Sequence, residues 1–299
     1  MNLERDNSPG LPNKIGFVLS PSPYDKLAWL PEQLFEALVD PLMDLGHSVD
    51  ASLPEPVAGL EENHFKRVLA HLFSSASFRA QENFKFQAVP INISTNPIFH
   101  LTLIEAYFEE KIIEESQLGV LWIDSEFRLE EKVKKDKAED SSEASISGVL
   151  NLLLSSNKTD LPSFSNLIFD NEMKKEQIFH LAGSKPSLIK PNFKYYSTDI
   201  LQEFGLTRVL EELADELQAF EKILVVWDLS SVSTAAMDGK LTPREVLQIA
   251  NWLDLSLRRK NKLLALGFSG YDELPLTERD LLILMRRMIL RIFGKTLFN

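Results

Sequence analysis

The stretch "KILVVWDLSSV", residues 222 to 232, decides the fold. It opens on a near-continuous run of branched apolar side chains, which suits a strand covered on both faces, as in a parallel sheet. The run ends on Asp228, followed by Ser230. In doubly wound sheets the functional residues stand at the carboxyl ends of the strands, so this acid marks the edge where chemistry is expected.

Working outward, "LGVLWIDSEFR" (118 to 128) repeats the pattern: an apolar run ends on Asp124, and Asp124, Glu126 and Arg128 then occupy every second position. On a strand those three side chains share one face. "KIGFVLS" (14 to 20), "FQAVPINIS" (86 to 94), "SNLIFD" (165 to 170) and "LLALGFS" (263 to 269) read as further strands. Helical spacing occupies 31 to 46, stopping at Gly46, and recurs over 62 to 82, 99 to 116, 146 to 156, 197 to 220 and 276 to 293. Another helix starts at Thr242, with Pro243 in the first helical position and Glu245 placed to close a capping box.

This alternation predicts an α/β protein with a doubly wound, mainly parallel sheet sandwiched by helices, formed as a single domain over 1–299 without repeat or linker. The mixed charge run at 129 to 145, "LEEKVKKDKAEDSSEAS", reads as a solvated, mobile loop.

Composition narrows the function. Among 299 residues, 32 Lys and Arg face 44 Asp and Glu, a net charge of -12, so the surface repels phosphate backbones and anionic lipid. The expectation is no nucleic-acid and no membrane partner. The absence of cysteine removes disulfides, thiolate metal sites and cysteine nucleophiles. The polar start "MNLERDNSPGLPNK" lacks the order of a signal peptide, and no run approaches the ~18 apolar residues of a membrane helix, so a soluble cytoplasmic protein is expected.

Three segments in order resemble the ureohydrolases, the family of arginase, agmatinase and formiminoglutamase. "LGVLWIDSEFR" is similar to that family's strand ending in Asp-Ala-His-x-Asp, "KILVVWDLSSV" to its strand ending in Asp-x-Asp, and "GKLTPREVL" to its Gly-Leu-Thr-x-Arg-Glu helix start. "DILQEFGLTRVLEELADEL" also fits the helix before the Asp-x-Asp strand. The resemblance implies the arginase-like three-layer α/β/α fold and two manganese ions, held by carboxylates and imidazoles, bridged by a hydroxide that attacks a guanidinium or formimino carbon.

The motif positions depart from that pattern. Asp124 is retained, but Glu126 stands at the histidine position and Arg128 at the second aspartate; Asp228 is retained, but Ser230 replaces its partner. Where the family carries its first metal histidine, "ISTNPIFH" offers Pro97 in an ungapped match and His100 in a shifted one. Ser147 falls where a substrate-handling histidine is expected, and the late substrate acid falls near Gly270, with Asp272 out of register. The other histidines, His47, His64, His71 and His180, form no ligand spacing and read as surface or satisfied core residues. Trp122 and Trp227 read as strand packing, and the cations of "LLILMRRMILRIF" as interruptions of a core helix.

A guanidinium is never deprotonated at neutral pH, so Arg128 among Asp124, Glu126 and Asp228 can replace metal as counter-ion, paired with Asp124 or Asp228. The leading expectation is a catalytically inactive ureohydrolase-like protein without cofactor, acting as a binding or assembly module. Its partners would be itself, an active relative, or a small molecule in the relic cleft. The alternative is a divergent C–N hydrolase with one metal or none, using Asp124 or Glu126 as base; any manganese would fall to Asp124, Glu126, Asp228 and His100. A third reading keeps only the doubly wound fold and puts the function elsewhere.

Overall fold

The computed structural model describes residues 13–19, 27, 29–52, 65–94, 97–100, 102, 103, 106, 107, 110, 118–124, 178–181, 193–233, 241–271, 274 and 276–294. Among the described residues eight strands form one all-parallel sheet: β1 (Lys14–Leu19), β2 (Ser48–Ser52), β3 (Ala88–Ile93), β4 (Leu118–Ile123), β5 (Ile178–Leu181), β6 (Phe193–Tyr196), β7 (Lys222–Asp228) and β8 (Leu263–Ser269). Their order across the sheet is β2-β1-β3-β8-β7-β4-β5-β6. The five strands read from the sequence at 14, 86, 118, 222 and 263 are present. Three more, β2, β5 and β6, escape that reading because they are short. The segments at 146 to 156 and 165 to 170, and the loop at 129 to 145, lie outside the described residues.

Helices cover both faces. On one face lie α1 (Leu30–Asp44), α4 (Leu206–Leu217), α5 (Pro243–Leu253) and α6 (Glu278–Phe293), with α1 against α6, α6 against α5 and α5 against α4. Their apolar stripes meet the odd-numbered side chains of β7, Ile223, Val225 and Trp227, in a single core cluster. On the other face α2 (Phe65–Lys85) runs over β1 and β3, and Phe73 and Phe84 meet Phe99 and Tyr107. The sheet is therefore buried from both sides, as the unbroken apolar strands require.

Local signals act where the sequence places them. Gly46, at φ 86°, ends α1 by donating to Met43 O while His47 N bonds Leu42 O. The capping box at α5 is complete: Thr242 accepts from the amide of Glu245, whose carboxylate accepts in turn from the amide of Thr242. In α6, Leu284, Met288 and Ile292 are buried while Arg286 and Arg287 are exposed, so the helix packs on the core as expected. The stretch 197 to 220 departs from the single helix expected there. It forms α3 (Thr198–Phe204) and α4, broken at Gly205, whose φ of 80° is outside the helical region.

Candidate functional site at the carboxyl edge

The strands in the middle of the sheet bring their carboxyl ends to one place. In the register of β4, β7 and β8, Ile123 pairs with Trp227 and Asp228 with Ser269, so Asp124, Asp228 and Ser269 stand level on neighbouring strands. None of the three has exposed surface.

Three neutral donors bond Asp228. Its Oδ1 accepts from the amide of Ser230 at 2.9 Å and its Oδ2 from Ser269 Oγ at 2.9 Å, while Ser231 Oγ donates to its carbonyl at 2.7 Å. Gly270 lies beneath it at φ 63°, and a Cβ there would stand 2.0 Å from Asp228 Oδ1, so only glycine lets the carboxylate settle into this position. Asp124 accepts from Trp122 Nε1 at 3.2 Å on Oδ2 and, in a longer contact of 3.4 Å, from Ser230 Oγ on Oδ1. Ser230 thus joins the two retained acids, its backbone N–H to one and its hydroxyl to the other.

His100 completes the cluster. Asn92, on β3, donates through Nδ2 to Phe99 O at 2.7 Å and so ties down the short 3-10 turn Pro97–His100. The imidazole is fully buried on the face of β8 where Gly267 leaves room; a Cβ at Gly267 would lie 2.2 Å from Nδ1. Among the described residues, neither ring nitrogen has a hydrogen-bond partner. Burial pushes the imidazole down to about 4 against the upward pull of the Asp228 charge, so the ring is neutral at neutral pH.

Of the two residues that "ISTNPIFH" offers, His100 feels the charge of Asp228, and Pro97 opens the same 3-10 turn. Glu126, Arg128 and Ser147 lie outside the described residues, and so does the pairing expected of Arg128. His47 is a satisfied buried residue far from this edge, as expected. Trp227 packs on Phe268, whereas Trp122 also donates to Asp124, a role beyond the strand packing read from its position. Sequence reading missed Asn92 and Ser269. Ser269 ends β8 and Asn92 is the last residue but one of β3, so a polar residue at the carboxyl end of an apolar strand was the available signal.

Two surface grooves, of about 510 and 660 Å³, are lined by residues of β6, α3, α4 and α5 and include neither acid nor His100. Among the described residues no group of three His, Cys, Asp or Glu is placed to hold a metal ion, and no helix is long and apolar enough to cross a membrane.

An eight-stranded parallel sheet in this order, between two helical layers, is the fold of the ureohydrolases. The arginase of Bacillus subtilis superposes with a TM-score of 0.70 at 16% identity over 96% of this chain and 99% of its own. The arginase of Bacillus caldovelox gives 0.67 at 15% over 97% and 100%, and the agmatine ureohydrolase of Thermoplasma volcanium 0.57 at 10% over 95% and 89%. No protein-family model and no curated protein matches the sequence.

Proposed function

We propose that this chain is a ureohydrolase-fold protein that works without the dimanganese chemistry of that fold, as a cytoplasmic binding or assembly module that associates with its own copies or with an active relative. The observation that carries the reading is the bonding of Asp124 and Asp228. Each of their four oxygens already accepts a hydrogen bond, from an indole N–H, an amide N–H and two hydroxyls, which satisfies part of the carboxylate charge without an ion and leaves fewer lone pairs for one. Among the described residues this edge offers two carboxylates and one imidazole, fewer ligands than a pair of ions takes. Ser230, where the Asp-x-Asp motif carries its second acid, supplies donors instead of an acceptor charge.

The second reading, a C–N hydrolase with one metal or none, draws on one observation: His100, neutral, within reach of the Asp228 charge and without a hydrogen-bond partner among the described residues, has the chemistry of a ligand or a base. A turnover assay separates the two. Protein incubated with excess manganese and offered guanidino and formimino compounds is expected to release urea, amine or formamide no faster than buffer does. Release that scales with protein concentration and disappears in His100→Phe would overturn the first reading in favour of the second.

A further inference from the structure

The amino end of the sheet, opposite the acids, holds a second buried histidine with a different character. His47, between α1 and β2, is 7% exposed. Its Nδ1 accepts the backbone N–H of Asn13 at 3.0 Å, and its Nε2 bonds the carbonyl of Phe293, the last residue of α6. A backbone N–H can only donate, so Nδ1 must carry the lone pair and Nε2 the hydrogen. The contacts therefore fix the neutral Nε2–H tautomer.

The bonds around the ring reach three further parts of the chain. Asn13 leads into β1, and its carbonyl accepts from Ser48 N at 3.1 Å. Its side-chain Oδ1 accepts from Arg258 Nη1 at 3.1 Å, and Arg258 is locked to Asp254 inside the π-helical turn that follows α5. The Phe293 ring stands edge-on to the imidazole at 6.0 Å. The starts of β1 and β2, the end of α5 and the end of α6 thus meet at one side chain.

We propose that His47 is an acid-released latch that holds the last turn of α6 against the starts of β1 and β2. A proton arriving at Nδ1 sets N–H against the N–H of Asn13, breaks that bond and turns an acceptor into a second donor with no partner. It also places a positive charge beside Arg258. The charges acting on the ring are Arg258, which opposes protonation, and Asp254, which favours it and is shared with Arg259. Lys14 on β1, Asp44 on α1, Asp50 on β2 and Arg291 on α6 belong to the same packing elements, but none is among the causes acting on the ring.

Burial is the largest influence and holds the imidazole below its usual value. An imidazole whose folded value is depressed is neutral when folded and charged when unfolded across the interval between the two values, so stability rises with pH there. The latch is therefore fully closed above the ordinary histidine value of 6.5 and weakens as pH falls below it towards the depressed folded value.

The test uses the full chain and two readouts. Nitrogen-15 spectra of the histidine rings, with His47→Gln identifying the signal, are expected to show a protonated Nε2 and a bare Nδ1 at neutral pH and a titration below 6.5. Hydrogen exchange at Asn13 and at the last turn of α6, corrected for intrinsic rates, is expected to lose protection as pH drops through that range. In His47→Gln, whose amide accepts and donates but does not titrate, that loss is expected to vanish. A proton on Nδ1 at neutral pH, a titration at or above 6.5 in the wild-type ring, or the same acid response in His47→Gln would each overturn the proposal.

Discussion

Replacing Asp228 with alanine is expected to lower the unfolding free energy of the metal-free protein by about 2–4 kcal/mol, measured by denaturant titration in the presence of a chelator. The substitution strands the amide of Ser230 and the hydroxyl of Ser269, both buried, and each orphaned donor costs about 1–3 kcal/mol. The sign is what matters. In a site built to grip cations, emptied of metal, facing carboxylates repel one another, and deleting one relieves the fold. In a site where serine and indole donors hold the carboxylates, deleting one damages it. A neutral or stabilising Asp228→Ala would contradict the view that these acids are structural.

Gly270→Ala is expected to cost about 3–4 kcal/mol by the same measurement. About 1–2 kcal/mol comes from holding a residue with a Cβ at φ 63°. The rest follows from displacing Asp228, because the new methyl would stand 2.0 Å from Oδ1 and must push the carboxylate off Ser230 and Ser269. The two substitutions are therefore coupled. In an Asp228→Ala background the carboxylate is absent, and Gly270→Ala is expected to cost only the backbone part. Additive losses would show that Gly270 and Asp228 do not bear on one another.

Much of this architecture is legible in the chain because buried strands of a parallel sheet carry their signal in every residue. "KILVVWD" and "LLALGFS" cannot be surface segments, and their neighbours in the sheet are as apolar. β2 is written "SVDAS" and lies at one edge, so it has no apolar run to read. β5 and β6 are four residues each, too short for periodicity to show. The break at Gly205 is hidden for another reason: "FGL" continues the apolar spacing across both helices, and only the backbone reveals that the glycine leaves helical space.

The site was legible in part. Asp124 and Asp228 announce themselves by ending apolar strands. The groups that satisfy them do not, because Ser269 is set opposite Asp228 by inter-strand register, and Trp122 reaches Asp124 two residues along one strand face. Neither relation is a spacing that a sequence advertises. Sequence leaves His100 as one of two alignments, and the room for its ring is no sequence signal: Gly267, more than half the chain away on one of the two middle strands of the sheet, leaves the gap the imidazole fills.

The central claim is that serine and indole donors, not metal ions, satisfy the acids at the carboxyl edge. The most direct test is manganese content per chain, by elemental mass spectrometry, after incubation with excess ion and exhaustive removal of what is unbound. The account predicts a value near zero. About one or two ions retained per chain would mean that Asp124 and Asp228 give up their hydrogen bonds to hold metal, and would contradict it.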